Sequence, residues 1–310
     1  MRIVVALGGN ALGDTALEQQ ERADHAAQAL CALVEQGHEL VLAHGNGPQV
    51  GKIQLAFDVA KGIEDKVPEM PLPECTAMSQ GYIGFHLQKA LGKRLAKAGV
   101  KKAVATIVTQ VAVDRHDPAF EAPTKPIGGF YTKEQAEALM AENPGWLFKD
   151  DAGRGWRRVV ASPKPVEIVE RDAVRALIEI GVVVIACGGG GVPVTRAQDG
   201  GYESMPAVID KDFAAALLAK TVDADRLVIL TAVEQVNINW GKPDQKPIGA
   251  LSLEEAERYC QEGQFAPGSM LPKVQAAMMF AQTGGEAVIA SLERAADALS
   301  GSSGTRIYKA

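Results

Sequence analysis

The run Ile-Val-Val-Ala-Leu-Gly-Gly-Asn, residues 3–10, decides how the fold is read. Ile3 to Leu7 form a short apolar stretch that ends in glycine, which is the pattern of a buried parallel strand. The strand runs into Gly8, Gly9 and Asn10. A glycine turn at a strand's carboxyl end lets backbone N–H groups approach an anion closely. Yet no lysine or arginine lies between Arg2 and Arg22. A phosphate held on this loop would need its neutralising charge from elsewhere in the chain.

The same strand pattern recurs in ELVLAH (39–44), AVATIVTQV (103–111), VVVIAC (182–187), RLVILT (226–231) and EAVIA (286–290). Helical patterns lie between them. In one, over roughly 16–36, Ala23, Ala27, Leu30 and Val34 recur at helical spacing before Gly37. Others begin at Pro48 and Pro272, each suited to the first position of a helix. This alternation predicts an α/β protein with a mainly parallel central sheet covered on both faces. The segment from about 114 to 167 breaks the rhythm: it is rich in Pro, Gly and charge, with one helical piece near 132–142. It reads as an inserted excursion overhanging the sheet, and loops of that length tend to be functional.

The 310 residues, 47% of them hydrophobic, bury a large core as one large domain or two lobes. A formal net charge of −6 provides no overall field for nucleic acid or an anionic membrane, so anion-binding charge has to be local. Cys31, Cys75, Cys187 and Cys260 have no C-x-x-C spacing and read as buried, reduced thiols of a cytoplasmic protein. His25, His38, His44, His86 and His116 show no zinc spacing. The first apolar run is too short for a signal peptide, and no run approaches a membrane span.

Three glycine turns, ALGGN (6–10), HGNGPQVG (44–51) and CGGGGVPV (187–194), follow apolar runs. Ligands of open α/β sheets bind at that edge. There is no G-x-x-x-x-G-K-[ST], and HGNGPQVG has one residue too many for G-x-G-x-x-G, which disfavours P-loop proteins and dehydrogenases. Three lysines stand out as sources of charge. Lys125 lies between Pro123 and Pro126, which stiffen its backbone. Lys211 opens a helix between Asp210 and Asp212, and Lys273 follows Pro272 at another helix start. A lysine at a helix N-terminus opposes the helix dipole, which a shared anion would explain; a solvated lysine beside ordinary N-terminal acids is the other reading. Arg154, Arg157 and Arg158 read as structural or as contacts of the excursion, and His44 as a satisfied strand-end residue. Asn10 and Asn46 read equally as donors to a small acceptor or as helix caps.

Taken together, VVALGGNAL, HGNGPQVG, MSQGYIGFHLQ, VTQVAVDRHDPAFEAPTKPIGGFY, DAGRGWRRVVASPKPVEIVE, VIACGGGGVPV, AVIDKDFAAALLA, LVILTAVEQVNIN and FAPGSMLPKVQAAMMF resemble the carbamate kinases of the amino acid kinase superfamily. The resemblance spans nearly the whole chain. It implies a three-layer αβα sandwich with a protruding subdomain over about 114–167. Residues up to about 200 would form the acceptor-binding part and 201–310 the nucleotide-binding part. It also implies a cytoplasmic homodimer acting on small molecules, with ATP and carbamate giving ADP and carbamoyl phosphate with the help of Mg²⁺.

By the same resemblance, Gly8, Gly9, Asn10, Gly45, Asn46, Gly47 and Gly51 would hold the acceptor and the transferring phosphoryl group. Lys125 and Lys211 would sit on that group, Lys273 on the nucleotide phosphates, and Asp212 would orient the lysines. Asp210, Thr231, Ala232, Val233, Asn237, Met270 and Pro272 would line the nucleotide site, and no residue is assigned as a metal ligand. Sister kinases of this fold carry a lysine in a K-x-G-G motif where this chain has Ala6. Ahead of AVIDKD the family tends to a Gly-Val-Glu-Ala type run, and here Gly201 to Pro206 read GYESMP. The competing readings are a sister kinase with another small carboxylate or acyl acceptor, and a silent nucleotide-binding regulator.

Overall fold

The computed structural model describes residues 1–8, 13, 15–64, 66–151 and 153–310. In chain order it forms β1 (Arg2–Leu7), α1 (Ala16–Glu35), β2 (Glu39–His44), α2 (Gly47–Ile63), α3 (Leu72–Lys97), β3 (Val104–Thr106) and β4 (Gln110–Val113). The excursion follows, with β5 (Lys125–Tyr131), α4 (Lys133–Glu142), β6 (Leu147–Asp150), β7 (Trp156–Val160) and β8 (Pro165–Ile168). Next come α5 (Arg171–Glu179), β9 (Val183–Ile185), β10 (Val192–Arg196), β11 (Tyr202–Ser204), α6 (Lys211–Thr221) and β12 (Arg226–Thr231). The chain ends with β13 (Val236–Ile238), β14 (Lys246–Ile248), β15 (Ala250–Ser252), α7 (Leu253–Gln261), α8 (Met270–Ala281), β16 (Glu286–Ser291), α9 (Ala295–Ser300) and β17 (Thr305–Tyr308).

An eight-stranded sheet in the order β15-β17-β16-β12-β1-β2-β9-β3 forms the centre. Strands β16, β12, β1, β2, β9 and β3 run parallel, and β17 pairs antiparallel with β16. Alternation along β1 divides the core. Val4 and Ala6 join one buried cluster with residues of α5, α6 and α8, while Ile3, Val5 and Leu7 join another with α1, α3 and α9. Both faces of the sheet are therefore covered, as apolar strands without polar alternation require.

Helix α1 follows its pattern closely: Thr15 and Glu18 form a reciprocal capping box, and Gly37 just beyond its end takes the left-handed φ of 84°. Helices α2 and α8 start slightly before their prolines, at Gly47 and Met270. The expected single strand over 103–111 is instead two strands in different sheets. The Gln80 carboxamide on α3 accepts from the Thr109 amide at 2.8 Å and donates to the Thr109 carbonyl at 3.1 Å. The Thr109 carbonyl also accepts from the Val192 amide at 2.8 Å, so Thr109 is held at the start of the β4–β10 pairing, where the chain leaves the main sheet. The excursion carries its own three-stranded sheet, β5-β7-β6. It docks where Gly51 of α2 meets Gly128 of β5, and a side chain on Gly51 would overlap the Gly128 backbone.

Candidate active site

Because β1, β2, β9 and β12 are parallel neighbours, their carboxyl ends share one edge of the sheet. Gly8, the Gly45–Gly47 turn, the Gly188–Gly191 turn and Ala232 with Val233 all follow those ends, and Thr231 is the last residue of β12. Gly9 and Asn10 lie outside the described residues. The Gly45 amide donates to the Leu7 carbonyl at 3.2 Å, which extends the pairing of β1 with β2. Gly47 is the first residue of α2 and so belongs to its N-terminal amides, which have no intrahelical acceptor.

The third glycine turn is wedged among these groups. Gly189, Gly190 and Gly191 have φ of 66°, 98° and 89°, and side chains on Gly188, Gly189 and Gly190 would run into His44, Asn46 and the Ile209 carbonyl. Only glycine permits both the backbone and the contact. Asn46 makes no capping bond to its helix; its amide donates to Ser79 Oγ at 2.8 Å, and Ser79 donates to the Thr76 carbonyl at 2.7 Å. His44 is fully buried, with Nδ1 donating to the Gly45 carbonyl at 3.0 Å. Burial pushes its pKa down to about 4, against the smaller opposing effect of that bond, so the imidazole is neutral.

Helix α6 gathers the charge. Asp210 caps it, with Oδ1 accepting from the Asp212 amide at 2.9 Å. Lys125, the first residue of β5, pairs through Nζ with Asp210 Oδ2. Asp212 then holds two lysines, Lys211 at 2.5 Å on Oδ1 and Lys273 at 2.9 Å on Oδ2. Lys273 comes from the first turn of α8, which packs against α6. The result is a continuous chain, Lys125–Asp210 capping Lys211–Asp212–Lys273, with three ammonium groups on two carboxylates.

Burial opposes the charge of both carboxylates. Lys125 and Lys211 outweigh it at Asp210, and Lys211 and Lys273 do so at Asp212, holding both carboxyls below the usual range. Burial lowers the pKa of Lys211, and Asp212 resists that shift. Buried cations at a helix N-terminus oppose the dipole, and the arrangement carries one more positive charge than its carboxylates cancel. Its chemistry is that of an anion site whose lysines are pre-aimed and partly dehydrated. Among the described residues no three or more His, Cys, Asp or Glu side chains gather as a resident metal would require.

On the other candidate positions, Met270 and Pro272 stand in the first turn of α8 beside Lys273. Thr231 ends β12. Asn237 is occupied within the β13–β14 hairpin, donating to the Gln235 carbonyl at 2.9 Å and accepting from Gln245 at 3.3 Å. Gly51 makes its close approach to the excursion. The arginines also serve the excursion: Arg157 pairs with Asp151 and donates to the Gly128 carbonyl, while Arg158 stacks on Trp146 and donates to Gln54. Ser79 and Gln80 support the site but carry no periodic or turn signal; only the MSQ motif marks them in the sequence.

A sequence profile of the amino acid kinase family matches residues 1–291. The chain belongs to the amino acid kinase family. Within that family it is 52% identical to a carbamate kinase of Clostridium perfringens, with all of both chains covered. It is also 53% identical to a carbamate kinase-like protein of Escherichia coli, covering 99% of this chain and 98% of the relative. Among solved structures, carbamate kinase from Giardia lamblia bound to AMP-PNP is 45% identical with a TM-score of 0.90, over 100% of this chain and 98% of that one. As an amino acid kinase, this chain is a phosphotransferase.

Proposed function

We propose that the chain is a carbamate kinase, transferring a phosphoryl group reversibly between ATP and carbamate, with ADP and carbamoyl phosphate as the other pair. The observation that carries this reading is the lysine chain on Asp210 and Asp212, set at the edge where the glycine turns end. Carbamate is already an anionic oxygen nucleophile, so the site needs no strong general base. It needs cations to screen two anions and a frame to align them.

In the ATP-forming direction, an ADP β-phosphate oxygen attacks the phosphorus of carbamoyl phosphate. The phosphorus–oxygen bond to carbamate breaks, and carbamate leaves as the anion. Lys125 and Lys211 follow the moving phosphoryl charge, Lys273 holds the nucleotide phosphates, and Asp212 fixes both Lys211 and Lys273. The Asn46 and Gly47 turn, with Gly8, Gly9, Asn10 and Gly45, borders the acceptor, and Thr231, Ala232, Val233, Asn237, Met270 and Pro272 border the nucleotide. Mg²⁺ enters with the nucleotide phosphates as part of the substrate. Residues up to about 200 then serve the acceptor and those from 201 the nucleotide. A cytoplasmic homodimer goes with this reading. Exposed Met78 and Phe85, seven residues apart on α3, offer an apolar stripe to a second copy.

The test is ATP formation from ADP and carbamoyl phosphate, with and without Mg²⁺. Lys211→Ala should lower kcat by about two decades or more with a smaller effect on nucleotide affinity. Absence of ATP formation by the wild-type protein would overturn the reading.

A further inference from the structure

Asn46 stands immediately before α2, between Gly45 and Gly47, yet its side chain makes no capping bond to that helix. It is held by α3 instead. Its Nδ2 donates to Ser79 Oγ at 2.8 Å, and Ser79 Oγ donates to the Thr76 carbonyl at 2.7 Å. Thr76 and Ser79 are fully buried and Asn46 is 2% exposed. A serine hydroxyl has a single hydrogen to give. With that hydrogen on the Thr76 carbonyl, Ser79 can only accept from its other neighbour, so the Asn46 amide has to present its NH₂ group. Turned over, the amide oxygen would compete with Thr76 for the same hydrogen, and one of the two hydrogen bonds would be lost. The amide also lies against Gly189, where any side chain would overlap it.

The orientation leaves Asn46 Oδ1 over. Among the described residues no donor reaches it. A buried carbonyl oxygen without a donor costs free energy, and a bound ligand or water has to supply the hydrogen. The oxygens of a phosphoryl group and of a carboxylate are acceptors and cannot do so. The amino group of carbamate and carbamoyl phosphate can, because it is the part of those molecules that donates.

We propose that Asn46 is a specificity-determining residue: Oδ1 accepts an N–H hydrogen from the amino group of carbamoyl phosphate or carbamate, and Ser79 is the positioning residue that keeps this oxygen turned to the ligand. The site thereby separates carbamate from acetate, in which a methyl group of similar size replaces the amino group, by a hydrogen bond and not by volume. This assignment deepens the carbamate kinase reading of the same site and rests on it.

The experiment follows consumption of carbamoyl phosphate with ADP, with acetyl phosphate as competitor, in the wild type, Ser79→Ala, Asn46→Leu and the double variant. The readout is Ki for acetyl phosphate divided by KM for carbamoyl phosphate, in which any weakening common to both ligands cancels. Ser79→Ala should lower this ratio about tenfold, with KM for ADP within about twofold. Asn46→Leu is close to Asn in size and offers no acceptor. It should lower the ratio at least as far, and in that background Ser79→Ala should add little. A ratio unchanged in either single variant, including absence of inhibition throughout, or full additivity of the two, overturns the proposal however far the rates themselves fall. The two levels of the argument fail separately. A wild-type protein that consumes no carbamoyl phosphate overturns the function reading and this assignment with it, whereas normal consumption with an unchanged ratio overturns this assignment alone.

Discussion

Asp212→Asn tests the site at its centre. The carboxylate is 2% exposed and holds Lys211 at 2.5 Å and Lys273 at 2.9 Å. Asparagine has nearly the same shape but leaves two ammonium groups buried with no counter-charge between them. Breaking a buried pair in this way costs about 3 to 5 kcal/mol. The protein can avoid that cost by releasing a proton from a lysine. Lys211 is the group to yield, because burial already lowers its pKa and Asp212 is what resists the shift. The variant should therefore lose the proton of Lys211 more readily, with a kcat lower by about two decades and an alkaline limb displaced to lower pH. Part of the loss should return as the pH is lowered and the lysine regains its proton. The assay is ATP formation across pH 5.5 to 9. An alkaline limb in the wild-type position, with kcat within about tenfold of normal, would refute the argument that Asp212 keeps Lys211 charged.

Three further outcomes follow from groups around the site. His44 has a folded pKa of about 4, below the unfolded 6.5, so the unfolded chain binds more protons between those values; its contribution is complete above pH 6.5 and lost as pH falls towards 4. That amounts to about 3 kcal/mol, and urea melts of His44→Gln should show a shallower acid loss than wild type; parallel pH profiles would contradict this. Gly51→Ala should destabilise the protein by about 1 to 3 kcal/mol and lower kcat as well, because the added methyl pushes on Gly128 of the strand that carries Lys125; an unchanged denaturation midpoint would count against this docking. Burial raises the thiol pKa at Cys31, Cys75, Cys187 and Cys260, to about 11 at Cys75, so a thiol reagent at pH 8 should label the native protein slowly and all four sites in urea. Rapid stoichiometric labelling of the native state would contradict that.

The parts of the molecule legible in its sequence are those set by local patterning. Ile3 to Leu7 read as a strand because both faces are apolar, and both faces are buried. Residues 16–36 read as a helix because of their spacing and the glycine that follows. Lys211 drew attention because a lysine at a helix start is out of place, and the structure surrounds it with Asp212 and Lys273. What was not legible depends on distant partners. At the break between β3 and β4, Thr109 is held by Gln80, 29 residues earlier, and by Val192 of β10. Strands β15 and β17 are too short to show a period and exist because β16 offers an edge.

Ala6 joins these two kinds of information. It lies in β1 on the face covered by α6, in one buried cluster with Ala214, Ala215, Ala216 and Ala219. Small residues on both the strand and the helix let the backbones approach closely, as interior packing density demands. A lysine at position 6 would have to fit into that apolar layer. In this chain Ala6 thus packs in the small-residue layer between β1 and α6. The helix delivers Lys211 to the edge where the glycine turn of β1 begins, so the loop can dispense with charge because the next layer supplies it.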